Sequence, residues 1–182
     1  MASEPRPAAI VVMGVAGAGK STVGARLAER LGAAFIEGDR FHLPASIDKM
    51  AAGIPLADDD RWPWLEAVGR EIARLAADGR PVVCACSALK RAYRDRLRES
   101  AALPLAFVYL EGTRDLIAGR MAARTGHFFA PSLLDSQFAA LEPPGEDEGA
   151  ITADLGLPVD EMAERIAREL ERMKKGAKLN SK

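Results

Sequence analysis

The 182-residue sequence predicts an α/β fold: a five-stranded parallel sheet with helices on both faces. Three observations carry that expectation. Apolar runs at Ile10–Met13, Ala33–Ile36, Val82–Cys86 and Leu105–Leu110 are continuous, not alternating, the pattern of strands covered on both faces. Stretches with apolar residues at helical spacing separate them, as in Val23, Leu27, Ala28 and Leu31. The first run leads directly into Gly14-Val15-Ala16-Gly17-Ala18-Gly19-Lys20-Ser21-Thr22, a strand, glycine loop and helix in succession.

That loop matches G-x-x-x-x-G-K-[ST]. Glycines let the backbone turn successive N–H groups inward around a phosphate chain, and the helix beginning near Lys20 adds the positive end of its dipole. The pattern assigns Gly14 to Thr22 to ATP, Lys20 to the β- and γ-phosphate oxygens and the Ser21 hydroxyl to Mg²⁺. The expected architecture is therefore a P-loop NTPase fold.

Composition bounds the rest. At this length and 48% hydrophobic content the chain suits one domain with a proper core, expected over residues 10–173. Twenty-five Lys and Arg against 26 Asp and Glu leave a net charge of −1, which provides no field for nucleic acid or a membrane surface and points to small-molecule partners. Residues 1–9 carry an acid and two prolines without an apolar core, so they are expected to be a disordered N-terminus and not a secretory signal. Cys84 and Cys86 lie two apart in an apolar run, which reads as small core residues on one strand face and a cytoplasmic setting.

After the first helix, Gly32 is a stop, and the second strand ends in Glu37-Gly38-Asp39. Ligands of such sheets bind beyond the carboxyl ends of the strands, so Asp39 is expected on the rim that carries the glycine loop. There it can accept the proton of an attacking hydroxyl or hold Mg²⁺ through water; alternatively it is a turn or helix-cap residue. Residues 40–61 mix helical hints with Pro and Gly breaks and read as a substrate-binding insert, with His42, Lys49 and Arg61 as candidate contacts. Asp58-Asp59-Asp60 serve either a metal or the N-terminus of the helix that follows, whose stripe is Leu65, Val68, Ile72 and Leu75.

The third strand ends at Ser87, where a hydroxyl either binds a metal-bound water or caps a helix starting near Ala88. Lys90, in the first turn of that helix, opposes its dipole, which is better tolerated with an anion present and favours an acidic acceptor. After the strand Leu105–Leu110, a further helix carries Arg120 and Arg124 one turn apart, leading into a lid at about 122–138 that clamps ATP or, on the plainer reading, leaves both arginines at the surface. Residues 131–141 read as a short helix, 142–149 as an acidic surface loop, and Ala150–Asp154 as the fifth strand. A final amphipathic helix carries Val159, Met162, Ile166 and Leu170, and residues 174–182 are expected to form a frayed basic tail. No internal repeat is present.

With these residues set out, the chain resembles the gluconate kinase family, small P-loop kinases related in fold to shikimate and nucleoside monophosphate kinases. The specific likeness lies in Glu37-Gly38-Asp39 with His42; in Lys49-Met50-x-x-Gly53-x-Pro55-Leu56-x-Asp58-x-Asp60-Arg61-x-x-Trp64-Leu65; in Cys86-Ser87-Ala88-Leu89-Lys90-x-x-Tyr93-Arg94-Asp95; and in Gly126-His127-Phe128, Gln137 and Leu141-Glu142. Glu37 and Ser46 depart from the family's usual Asp and Asn. The resemblance implies ATP-dependent phosphorylation of D-gluconate at its 6-hydroxyl by a cytoplasmic homodimer. The expected roles are Asp39 as base, Lys20 and Arg124 on the developing charge, and Arg120 against adenine. His42, Lys49, Arg61, Lys90, Arg94, His127 and Gln137 are expected around the acceptor, and Ser21, with Ser87 or Asp39 through water, at Mg²⁺. Two rivals share the loop. A shikimate kinase usually has three glycines where this chain has Ser87-Ala88-Leu89-Lys90, and a GTP switch needs an N-K-x-D signature that is missing from it.

Overall fold

The computed structural model describes residues 8–123 and 131–179. The strands are β1 (Ala9–Met13), β2 (Ala34–Glu37), β3 (Val82–Ala85), β4 (Leu105–Glu111) and β5 (Ile151–Asp154). They form one sheet in the order β2-β3-β1-β4-β5, and every pairing is parallel. The helices are α1 (Lys20–Leu31), α2 (Pro44–Ala51), α3 (Asp58–Ala76), α4 (Arg91–Ala101), α5 (Arg114–Ala122), α6 (Pro131–Ala140) and α7 (Val159–Leu179). The expected α/β architecture and its five strands are thus present.

β1 is central and wholly buried, which explains its unbroken apolar sequence: both of its faces are covered by helices, and both of its edges are paired. The core gathers Val11, Val12 and Met13 with Leu27, Leu65, Ile72, Val83, Phe107, Leu110 and Ile166, all 5% exposed or less. Cys84 and Cys86 belong to this core, and burial pushes the Cys86 thiol up to about 12, as expected of inert small residues.

Register decides what meets at the carboxyl edge. Val12 lies opposite Ala85 and Glu37 opposite Ala85 in turn, so the segments leaving β1, β3 and β2 emerge side by side. Those segments are the glycine loop, Cys86-Ser87 and Gly38-Asp39.

α7 continues to Leu179. Residues 1–7 and 124–130, which hold most of the expected N-terminal arm and part of the lid, lie outside the described residues.

Candidate active site

The glycine loop has the backbone its sequence requires. Gly14, Gly17 and Gly19 take positive φ of 148°, 77° and 89°, and Gly19 sits at the N-cap of α1. Lys20 follows as the first residue of the helix, and its Nζ donates to the Val15 carbonyl at 3.0 Å. Lys20, Ser21 and Thr22 line a cleft of about 350 Å³ with Gly17 and Gly19.

Asp39 lines the same cleft from a 3₁₀ turn at Gly38–Phe41, and its side chain is 66% exposed. Gly38 seats that turn. A Cβ on Gly38 would fall 2.5 Å from the Ala85 carbonyl oxygen, so only glycine lets the turn lie against the end of β3. The buried Trp64 of α3 fixes it from the other side by donating Nε1–H to the Gly38 carbonyl at 2.8 Å.

His42 and Arg61 line the same cleft. The His42 imidazole is 5% exposed, and burial holds its pKa below the ordinary value; Asp39 nearby opposes that shift, and Arg61 adds to it. Among the described residues, its Nδ1 and the Arg61 Nε are buried without a hydrogen-bond partner. Two orphaned polar atoms in one cleft are the mark of a site that a polar ligand completes. Arg61 is otherwise held by a 3.4 Å contact to the Leu56 carbonyl and by the Tyr93 ring, 5.5 Å away.

Ser87 lines the cleft, and the alternative of a helix cap is removed, because α4 starts only at Arg91. The Arg91 N–H is taken instead by Glu142 Oε2 at 2.8 Å. The Ser87 carbonyl accepts the Gly14 N–H at 3.2 Å, tying the end of β3 to the start of the glycine loop. Gln137 of α6 reaches the loop too: its Oε1 accepts the Ala16 N–H at 2.7 Å, and the residue also lines the cleft.

Three residues expected around the acceptor are paired within the protein and are not among the residues lining the cleft. Arg94 is 1% exposed, and its guanidinium forks onto Glu148 at 2.6 and 2.7 Å. Lys90 lies outside the cleft lining, and the anion it faces is the protein's own: Asp58 accepts from Lys90 at 2.8 Å and from the Tyr93 hydroxyl, and its pKa is lowered as a result. Lys49 likewise pairs with Asp60 at 2.7 Å, outside the lining. Asp60 also takes the Ala57 N–H at 2.9 Å, so the acidic triplet serves the start of α3. Among the described residues, no cluster of three or more His, Cys, Asp or Glu could hold a metal.

Arg120 donates to the Leu155 carbonyl from α5. Arg124 and His127 lie outside the described residues. Sequence reasoning passed over the apolar wall of Met50, Ile54, Leu56, Met121 and Leu133, and also Glu148, which was read as part of an exposed loop. The motif around Met50 and Leu56 was a signal for part of the wall; Glu148 had none.

Comparison with known proteins gives a consistent picture. The family model described as AAA domain matches residues 10–144. A thermoresistant gluconokinase of Escherichia coli (strain K12) is 43% identical over 167 residues, covering 91% of this chain and 93% of its own. A gluconokinase of Gluconobacter oxydans (strain 621H) is 43% identical with the same coverage. The crystal structure of a gluconokinase from Sinorhizobium meliloti 1021 superimposes with a TM-score of 0.86 at 48% identity, over 98% of this chain and 100% of that one. A shikimate kinase from Acinetobacter baumannii shares the fold at a TM-score of 0.58 and 21% identity.

Proposed function

The chain belongs to the gluconokinase family, and on that premise we propose that its cleft transfers the γ-phosphoryl group of ATP to the 6-hydroxyl of D-gluconate, giving 6-phospho-D-gluconate and ADP. The single observation that carries this is the shared cleft, lined at once by the glycine loop, by Asp39 and by the orphaned polar groups of His42 and Arg61.

The roles follow from position. The loop N–H groups and Lys20 hold the phosphates where negative charge develops, and they do so without reorganising during the reaction. Asp39 takes the proton of the acceptor hydroxyl, for which its exposed carboxylate is well suited. His42 and Arg61 present Nδ1 and Nε to the polyol and its carboxylate, Gln137 closes the cleft from α6, and the apolar wall around Met50 and Leu56 excludes water. Arg124 on the phosphates, His127 on the acceptor and Arg120 beside adenine complete the proposal. Ser21, Ser87 and Asp39 are hard oxygen donors around one cleft, which suits Mg²⁺, an ion that keeps several waters and binds chiefly through substrate phosphates. When bound, the ion neutralises charge on the β- and γ-phosphates.

A homodimer working in the cytoplasm is the remaining part of the proposal. It rests on the family likeness and is checked by light scattering of the purified protein and by fractionation of cells. Among the described residues, no helix is long and apolar enough to cross a membrane.

The deciding experiment is a coupled ADP-release assay with gluconate, shikimate, nucleoside monophosphates or no acceptor. Release dependent on gluconate is expected; equal release without any acceptor, or with shikimate alone, would overturn the proposal.

A further inference from the structure

We propose that Arg94 and Glu148 form a positioning clamp for the wall of the cleft that carries Ser87, a role that rests on the phosphoryl-transfer reading of that cleft. The two side chains are 1% and 2% exposed and fully paired, with Nε and Nη2 of Arg94 on the two Glu148 carboxylate oxygens at 2.7 and 2.6 Å. The remaining nitrogen, Nη1, donates to three carbonyls: Ala88 at 3.1 Å, Leu89 at 3.2 Å and Glu142 at 3.1 Å. One guanidinium thus joins α4, the segment leaving β3 and the segment 142–148. A further hydrogen bond, Glu142 N–H to the Leu89 carbonyl at 2.9 Å, closes the same junction.

What this junction holds is strained. Ala88 is a non-glycine residue at φ +42°, in the left-handed region, a conformation that persists only where the surroundings dictate it. Arg94 grips the Ala88 carbonyl directly. Immediately before it stands Ser87, which lines the cleft and accepts the Gly14 N–H at the entrance to the glycine loop. A buried ion pair is seldom the most stable filling for its volume, since both charges lose their hydration. Here it secures placement: the backbone beside the reacting phosphate is locked by a group that no substrate touches. Arg94 and Glu148 are positioning residues and act through Ser87.

The test is steady-state kinetics on Arg94→Lys, which keeps the charge but loses the fork, and on Glu148→Gln, each alone and combined with Ser87→Ala. Each clamp variant is expected to lower kcat about tenfold while KM for ATP and for gluconate stays within about twofold, as expected of a misplaced group and not of a lost contact. Ser87→Ala is expected to cost less in the Glu148→Gln background than alone, because its partner is already displaced. A lowered melting temperature with kcat intact, or penalties that simply multiply, would overturn the clamp. Should the buried variants not fold, Glu142→Ala decides: it removes only the exposed carboxylate at the same junction and is expected to lower kcat in the same direction, and an unchanged kcat overturns the proposal. A wild-type protein inert towards gluconate sinks the acceptor reading separately, and the clamp is then read from the ATP hydrolysis rate of the same variants.

Discussion

The His42 ring stacks on Trp64, with ring centres 4.1 Å apart and planes 17° from parallel. Because Trp64 also holds the Gly38 carbonyl, one indole orients both the imidazole in the cleft and the turn that presents Asp39.

The stack makes stability sensitive to pH in a defined direction. Burial disfavours the charged His42 imidazole in the fold, Asp39 opposes this and Arg61 reinforces it, whereas in the unfolded chain the imidazole protonates below about 6.5. The unfolded state therefore binds more protons as pH falls, and stability present above that value is lost towards pH 5. Denaturant midpoints at pH 7.5 and 5.5 are expected to differ more for the wild type than for His42→Gln; equal differences would remove His42 as the cause.

Asp39→Asn keeps the size of the side chain and removes the proposed base. Turnover is expected to fall by about two to four decades with ATP affinity near normal. Isothermal titration with a non-hydrolysable ATP analogue and single-turnover phosphorylation separate the two, and near-normal turnover would take Asp39 out of the role.

Gly38→Ala places a methyl group 2.5 Å from the Ala85 carbonyl oxygen, and backbone cannot swing aside as a flexible side chain can. A stability loss of about 1–3 kcal/mol is expected, with a fall in kcat as the turn bearing Asp39 moves. Gly19→Ala is the control for crowding: its φ of 89° imposes conformational strain, but no atom lies within 4 Å of the added carbon. If thermal denaturation shows equal losses for the two, crowding at Gly38 is not the cause.

Glu148 governs the acid limb. Hydrogen bonds from Arg94, assisted by Arg98, hold its carboxyl down to about 2 against the 4.5 of a free side chain. Its contribution, on the order of 3 kcal/mol, is complete above about pH 4.5 and is lost as pH falls towards 2. In urea titrations across this range, Glu148→Gln is expected to start less stable and to lose less than the wild type; parallel curves would contradict it.

Much of the molecule was legible in the chain because the signals were local. The glycine spacing of residues 14–19 dictates a backbone, continuous apolar runs dictate doubly covered strands, and Asp39 was placed because the edge of a parallel sheet is where segments leaving its strands collect. Arg94, Lys90 and Lys49 share one feature that the sequence hides: each has a carboxylate partner in the fold. A cation near a site looks like a ligand until its partner is known, and the partners Glu148, Asp58 and Asp60 come from other segments.

The sequence by itself determined the α/β order of elements, the phosphate nest, the carboxylate beside it and the family to which the chain belongs. Only the tertiary structure decided which charges are spent within the protein: Glu148, in an acidic stretch, is buried against an arginine 54 residues away, while His42 and Arg61 keep polar atoms in the cleft with no partner among the described residues. The physical reason is range. Backbone preference and hydrophobic period are properties of neighbouring residues, whereas the pairing of buried charges depends on which segments the packed sheet brings within 3 Å, roughly the length of a hydrogen bond.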